Sequence, residues 1–417
     1  MIQQNVDAYY IKYPDREITT GSILEKEKVY LQYASGIRVE DKFYFSAMYI
    51  NGLFELDLND FNVKFICHFS GEDRDRILIH TGCAIEYKST IYFFPLCSKQ
   101  IHCYDLITGK EHAVVIPLSD GEEFLTAGIA RRENKIWLFS GDSAKGVSIL
   151  DMDDQTIISA ETLNEPLSKY GIKTGWVDVP EERRVFTYCI NSSILLEINL
   201  EKEQIKEHKV PLEGIDVYSF NYCDGKFYFI EATSGVLYEW EWDNTYLRKF
   251  ESRCVERMFV KHSPFCNYCL VNGEIYMIPW DAKHVMKVKR EEGKMERAFE
   301  YPEDFQYIDS GRTDYKSGMM SFYEVIENDI WLHPCGGNQL LIYDTISGTI
   351  IGKKITIDVS QVFPCKGIFY ENNHKALDYF CYCVKKDLQS NTKTEDPFGK
   401  RIYRALNEGK TAERWNG

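Results

Sequence analysis

The chain has 417 residues and a formal net charge of −15. This acidic balance disfavours a nucleic-acid partner, because contacts with phosphates need a basic surface. The sequence also lacks a run of about 18 apolar residues, the length that a membrane-spanning helix needs, and it lacks a signal-peptide pattern near its N-terminus. We therefore expect a soluble cytoplasmic protein that binds neither nucleic acid nor membrane, with its 13 cysteines as reduced thiols.

Short segments built around an aromatic residue recur along the whole chain. Each is flanked by further apolar runs and turn residues, which predicts four short strands per copy. In chain order the aromatic anchors are Tyr44, Tyr92, Trp137, Phe186, Tyr228, Tyr276 and Trp331. They lie 42 to 55 residues apart. Four-stranded repeats of roughly this length are typical of β-propellers, so we predict an all-β propeller.

A polar residue follows the third predicted strand in five of these copies. It lies 13 or 14 residues beyond the aromatic anchor, and the five are Asp57, Asp105, Asp151, Asn199 and Asp344. Asp and Asn side chains commonly accept hydrogen bonds from backbone amides in turns. We interpret these five residues as turn residues and the aromatic anchors as core between blades, so both have structural roles.

The two ends of the repeat region resemble two halves of one blade. Tyr379 lies 48 residues beyond Trp331 and continues the spacing, but the sequence after it becomes polar. Residues 8–24 resemble the third and fourth strands of a repeat. We predict that they pair with residues 366–384 in a composite blade that closes a ring of eight; the alternative is a ring of seven. The propeller then spans residues 1–385, and residues 386–417 form a polar tail or a short helix.

Two segments carry a resemblance to known repeat families. GEIYMIP at residues 273–279 and LLIYDTISG at residues 340–348 resemble the second and third strands of kelch-type propellers. The turn Tyr-Asp-x-x-Thr-Gly, at residues 104–109, is also similar to quinoprotein-type repeats. The Gly-Gly doublet of the kelch repeat appears only at Gly336-Gly337, and its fourth-strand Trp is missing. The resemblance implies a divergent kelch-like propeller and does not imply an activity.

The sequence contains no phosphate-binding loop, no His-Glu-x-x-His motif and no Gly-x-Ser-x-Gly motif. Cys266 and Cys269 have the spacing of half a zinc site, but on a strand their side chains point to opposite faces. We therefore predict buried free thiols, no metal site and no cofactor.

The propeller topology predicts where a ligand site lies. Loops before the first strand and after the second strand of each blade share one face, and residues from several blades converge there. Predicted loops on this face include residues 73–76 and 312–315. The predicted ligand-binding residues are His80, Asp142, Trp176, Glu231, Trp280, Asp281, Arg312 and His333.

Two classes of function fit this set of residues. The first is a binding or interaction module that takes a protein or a small polar ligand, such as a carbohydrate, on the loop-rich face. The alternative is an enzyme (a hydrolase, lyase or epimerase) that acts on a carbohydrate or similar polar substrate through paired acids or a His-acid pair. A plugged channel favours the first class, and a funnel with adjacent titratable groups favours the second.

Overall fold

The chain folds as an all-β propeller in which seven blades surround a central axis. The computed structural model describes residues 19–362, except 23, 26–27, 73–75, 77, 120, 143–144, 171–172, 190–191, 243–244, 252–254, 259–262 and 310–317. Each blade is a four-stranded antiparallel sheet made from one contiguous stretch of chain, with its first strand innermost. The prediction of an all-β propeller is confirmed.

The first half of the chain forms blades 1 to 3. The strands before them are β1 (Thr19–Ser22), β2 (Leu24–Glu25) and β3 (Lys28–Tyr30). Blade 1 contains β4 (Tyr33–Val39), β5 (Lys42–Ala47), β6 (Leu53–Asp57) and β7 (Val63–Cys67). Strand β8 (Gly82–Cys83) precedes blade 2, which contains β9 (Ile85–Tyr87), β10 (Thr90–Phe93), β11 (Gln100–Asp105) and β12 (Lys110–Val115). Blade 3 contains β13 (Thr126–Arg132), β14 (Lys135–Ser140), β15 (Val147–Asp151) and β16 (Thr156–Ser159), and helix α1 (Glu161–Leu167) follows.

The second half forms blades 4 to 7. Blade 4 contains β17 (Lys173–Val179), β18 (Arg184–Cys189), β19 (Ile194–Asn199) and β20 (Gln204–Lys209), with a 3₁₀ turn at Pro180–Glu182. Blade 5 contains β21 (Val217–Cys223), β22 (Lys226–Glu231), β23 (Leu237–Glu241) and β24 (Leu247–Phe250). Blade 6 contains β25 (Phe265–Val271), β26 (Glu274–Pro279), β27 (Met286–Lys289) and β28 (Lys294–Arg297). After β29 (Gln306–Asp309), blade 7 contains β30 (Met320–Ile326), β31 (Asp329–Pro334), β32 (Gln339–Asp344) and β33 (Ile350–Lys354), followed by β34 (Thr356–Asp358) and α2 (Val359–Val362).

The aromatic anchors occupy the second strand of every blade, as predicted. Six of the seven are buried: Tyr44, Tyr92, Trp137, Phe186, Tyr228 and Tyr276. The described chain has seven hydrophobic clusters, and each lies between two adjacent blades. Because both faces of a blade are covered in this way, the middle strands are apolar along most of their length. Neither α1 nor α2 is long or apolar enough to cross a membrane, and the described residues contain no other α-helix.

The polar residue after the third strand stabilises a turn, as predicted. The Asp105 carboxylate accepts hydrogen bonds from the backbone N–H groups of Thr108 at 2.7 Å and Ile107 at 2.9 Å. These donors, led by the Thr108 N–H, hold the pKa of the Asp105 carboxyl below its usual range. Equivalent bonds to backbone N–H groups are accepted by Asp57, Asp151, Asn199 and Asp344.

Blade 7 packs directly against blade 1, so the prediction of an eighth, composite blade is wrong. The inner strands β30 and β4 are neighbours, and the ring of Phe43 stacks on His333 with 4.3 Å between centroids. Phe61 and Trp331 form a second stacked pair across the same junction. An additional blade would have to separate these rings. The 48-residue step to Tyr379 continues the repeat in sequence, but the position next to blade 7 is already occupied by blade 1.

The N-terminal strands join the two ends of the propeller in a different way from the predicted one. Strand β1 pairs in parallel with β29 in the link between blades 6 and 7, and β3 pairs with β34 just after blade 7. Part of segment 8–24 therefore does contact the C-terminal part of the ring, but with other partners. The predicted partner segment 366–384 and the tail 386–417 lie outside the described residues.

Six of the seven inner strands carry a register shift of the β-bulge type near their first residue. The interrupted positions are Ala34, Ala127, Gly175–Trp176, Tyr218, Cys266 and Ser321. Bulges change the direction of a side chain and often lie beside functional sites. In blade 1 the short β8 pairs with β4 as a fifth, innermost strand, which narrows the channel at that blade.

Candidate functional site

The loops before the inner strands and after the second strands lie on one face, which we call the upper face. In six blades a backbone N–H after the second strand donates to a carbonyl before the inner strand, at 2.7 to 3.1 Å. The donor and acceptor pairs are Met48 and Gln32, Leu96 and Ile79, Gly141 and Leu125, Ala232 and Asp216, Trp280 and Pro264, and Cys335 and Met319. These bonds bring the two kinds of loop together, as the repeat pattern predicts.

A cleft of about 240 Å³ opens on the upper face where loops of the first three blades meet. Its lining has three residues from each of three stretches: the link between blades 1 and 2, the stretch after the second strand of blade 2 up to the first residue of β11, and the link between blades 2 and 3. These residues are Gly71, Glu72, Arg76, Ser98, Lys99, Gln100, Gly121, Glu122 and Glu123. Ligand pockets are usually larger and mostly apolar. This cleft, without an apolar side chain in its lining, suits a small and strongly polar ligand.

A chain of polar contacts forms one wall of the cleft. Arg76 pairs with the Glu123 carboxylate and donates from Nη2 to the Cys97 carbonyl at 2.7 Å. The Lys145 ammonium donates to the Glu123 carbonyl and lies 3.8 Å from the Asp142 carboxylate. These contacts join four loops of the first three blades. They link the predicted residue Asp142, through Lys145 and Glu123, to Arg76, which belongs to the predicted loop 73–76.

The base of the cleft is held by buried polar groups. Ser98 is 2% exposed, and its hydroxyl donates to Glu72 Oε1 at 2.5 Å while accepting the Gln100 N–H at 2.9 Å. The fully buried Asn51 accepts the Phe69 N–H at 2.9 Å and donates from Nδ2 to the Glu72 carbonyl at 3.4 Å. This hydrogen bonding fixes the start of the link between blades 1 and 2, and with it the position of the Glu72 carboxylate.

Gly71 allows the chain to pass close to Gln100. It has φ of +74°, and a Cβ atom there would lie 2.4 Å from Gln100 Nε2. Gln100 Oε1 and Arg76 Nε are buried and have no hydrogen-bond partner among the described residues. A buried polar atom without a partner costs about 1–3 kcal/mol.

His80, a predicted site residue, forms a buried pair with His102 beside the cleft. His102 Nε2 lies 3.1 Å from the Ser70 carbonyl and must donate to it, so His102 Nδ1 accepts from His80 Nε2 at 2.8 Å. Burial lowers the pKa of both imidazoles, that of His102 to about 4. Both rings are therefore neutral near pH 7, and His80 is part of the core between blades 1 and 2.

Two other predicted residues are also enclosed. His333 is fully buried at the junction of blades 7 and 1, and its Nε2 lies 3.3 Å from a carboxylate oxygen of Glu324. Burial lowers the pKa of His333 although Glu324 acts in the opposite direction. Asp281 is 1% exposed and pairs with Arg257 at 3.0 Å. Arg257 in turn donates to the Thr233 carbonyl, which ties the upper loops of blades 5 and 6 together.

The remaining predicted residues are spread around the ring. Trp176 lies at the bulge of β17 and stacks on Phe139 of blade 3 with 4.1 Å between centroids. Trp280 is partly buried after the second strand of blade 6. Glu231 accepts hydrogen bonds from Ser234 within its own turn. Arg312 lies outside the described residues. None of the predicted ligand-binding residues that the structure describes lines the cleft, and Asp142 is connected to it through Lys145 and Glu123.

Most of the cleft residues were missed by the sequence analysis. Six of them are Glu72, Ser98, Lys99, Gln100, Glu122 and Glu123. One signal was present: Gly-Glu at residues 71–72 and Gly-Glu-Glu at residues 121–123 both lie in the links between consecutive blades.

No group of three or more His, Cys, Asp or Glu side chains is placed to hold a metal ion within the part of the chain that the structure describes. Cys266 and Cys269, on β25, are free thiols whose pKa burial raises to about 12. Burial disfavours the thiolate, which is the form that binds zinc.

Comparisons with known proteins agree on the fold. No sequence family model matches the chain, and no curated protein matches it. Among solved structures it is similar to virginiamycin B lyase from Staphylococcus aureus, with a TM-score of 0.51, 12% identity, and coverage of 75% of this chain and 97% of that one. It is also similar to a streptogramin B lyase, with a TM-score of 0.50, 12% identity, and coverage of 79% of this chain and 97% of that one. The extracellular domain of a putative hybrid two-component system from B. thetaiotaomicron has a TM-score of 0.50 and 12% identity, with coverage of 76% of this chain and 40% of that one. At this identity the likeness shows the β-propeller fold alone.

Proposed function

We propose that this protein is a binding module that holds a small polar ligand in the cleft between blades 1 and 3. The cleft itself is the observation that carries the proposal. It lies on the upper face and it is lined only by polar, charged and glycine residues. Two of its lining residues, Lys99 and Glu122, are exposed and carry opposite charges.

The state of the predicted titratable residues supports binding over catalysis. A general acid or base must come within hydrogen-bond reach of the substrate. His80, Asp281 and His333 are at most 1% exposed, and each is paired with another side chain of the protein. The alternative, an enzyme acting on a carbohydrate or similar polar substrate, loses three of its candidate groups in this way.

The proposed partner is a small molecule because the polar lining residues form a concavity, which a flat protein surface does not enter. Nucleic acid and membrane are not proposed partners, given the net charge of −15. We place the protein in the cytoplasm, a proposal supported by eight free cysteines in the described residues. A kelch-like relationship is likewise a proposal, and it rests on the strand and Tyr-Asp turn motifs.

The test is a thermal-shift screen of amino acids, hydroxy acids, sugars, polyols and diamines. The variants are Lys99→Glu, at the cleft, and the matched Lys202→Glu, in the exposed turn of blade 4 on the opposite face. We expect at least one probe to raise the Tm of the wild type and of Lys202→Glu but not of Lys99→Glu. NMR of the probe after incubation should show it unchanged. Conversion of the probe would establish an enzyme, and a screen without any shift would overturn the proposal.

A further inference from the structure

The charges that line the cleft are not all used within the protein. Glu123 is engaged by Arg76 through its carboxylate and by Lys145 through its carbonyl. Lys99 is exposed and has no ion-pair partner among the described residues. Glu122 is exposed, and one of its oxygens accepts the Ser119 N–H at 3.1 Å. An available ammonium group and an available carboxylate therefore line the same cleft.

The charges of the lining include both signs. Excluding Arg76 and Glu123, which neutralise each other, the lining carries Lys99 against Glu72 and Glu122. A ligand with only negative charge meets two carboxylates, and a ligand with only positive charge meets the Lys99 ammonium.

Resting on the function proposed above, we propose that the ligand is a small zwitterion with an ammonium and a carboxylate group, such as a free α-amino acid. Its carboxylate contacts the Lys99 ammonium, and its ammonium contacts the Glu122 carboxylate. The cleft volume of about 240 Å³ accommodates a compact amino acid.

Four compact probes separate the charges of the ligand: L-serine, ethanolamine, L-lactate and glycerol. Ethanolamine keeps the ammonium, lactate keeps the carboxylate, and glycerol keeps neither. Each charge-assisted hydrogen bond contributes enough for about a tenfold change in affinity or more. By isothermal titration calorimetry we expect L-serine to bind at least about tenfold more tightly than each of the other three.

Two variants assign the contacts, with Lys202→Met on the opposite face as matched control. Lys99→Met should weaken L-serine and lactate by about tenfold and leave ethanolamine unchanged. Glu122→Gln should weaken L-serine and ethanolamine by about tenfold and leave lactate unchanged. Equal affinity for L-serine and any single-charge or neutral probe would overturn the zwitterion while leaving a binding module in place. No binding of L-serine, glycine or L-alanine would also overturn it, and the wider screen then decides the proposed function separately.

Discussion

Charged side chains have opposite roles in two sectors of the upper face. In blades 1 to 3 the loop charges border an open cleft, with Asp142 and Glu123 both 47% exposed. In blade 6 the charged residue at the same repeat position as Asp142 is enclosed: Asp281 is 1% exposed and pairs with Arg257. The residue types and their place in the repeat are alike. Packing by the neighbouring loops determines whether a charge belongs to a site or to the scaffold.

The largest expected difference between the sectors is in how much the free energy of unfolding falls when one charge is removed. Asp281→Asn removes the carboxylate charge that faces the buried guanidinium of Arg257, so we expect a loss of about 3–5 kcal/mol in the free energy of unfolding. Asp142→Asn, the matched change in the open sector, should cost less than about 0.5 kcal/mol. Urea denaturation measures both. Equal costs would show that the two sectors do not differ in burial as described.

The pH dependence of stability tests whether the core beside the open cleft buries His102 as a neutral ring. His102 has a folded-state pKa of about 4, and the value for an unfolded chain is near 6.5. The unfolded state therefore binds more protons below pH 6.5, so this contribution to stability is complete above that pH and is lost as the pH falls toward 4.

Urea denaturation at pH 7 and pH 5 measures this loss. We expect His102 to account for about 2 kcal/mol of the decrease over that interval. His102→Gln removes the titrating ring, so the decrease should be smaller in this variant by about that amount. An unchanged decrease would mean that His102 is not buried as a neutral ring.

The close approach at the cleft can be tested with two glycines. Gly71 and Gly121 both have positive φ, at +74° and +79°, but only Gly71 has neighbouring atoms within 4 Å of an added Cβ. Gly121→Ala should cost about 1 kcal/mol from the backbone conformation alone. Gly71→Ala should cost about 2 kcal/mol, because the methyl group also displaces the Gln100 amide. Thermal or urea unfolding checks the order, and equal costs would contradict the packing of Gln100 on Gly71.

The smallest expected effect on stability is at the exposed cleft charges. Lys99→Met and Glu122→Gln should each change the free energy of unfolding by less than about 0.5 kcal/mol, because exposed charges contribute little to it. The same variants are the ones expected to lose ligand binding. A large loss of stability in either would assign that residue to the scaffold.

The repeat pattern predicted the fold because each blade is specified by local sequence. The position of Tyr92 in a second strand and the turn at Asp105 depend on strand propensity, burial between neighbours and a side chain reaching its own backbone. The preferred count of eight blades was wrong and the alternative of seven is confirmed, since a repeat that continues to Tyr379 does not show whether space remains in the ring. Ring closure is a property of how all blades pack together, as the contact of Phe43 with His333 shows.

The sequence by itself determined the all-β propeller, the aromatic core positions and the face on which the loops gather. These follow from the two-residue periodicity of strands and from recurring turn chemistry, both of which act over a few residues. Only the tertiary structure decided that His80, Asp281 and His333 are enclosed while Lys99 and Glu122 border an open cleft. Burial of a loop side chain depends on loops about 50 residues away in sequence, and so does the difference between a buried ion pair and an available charge.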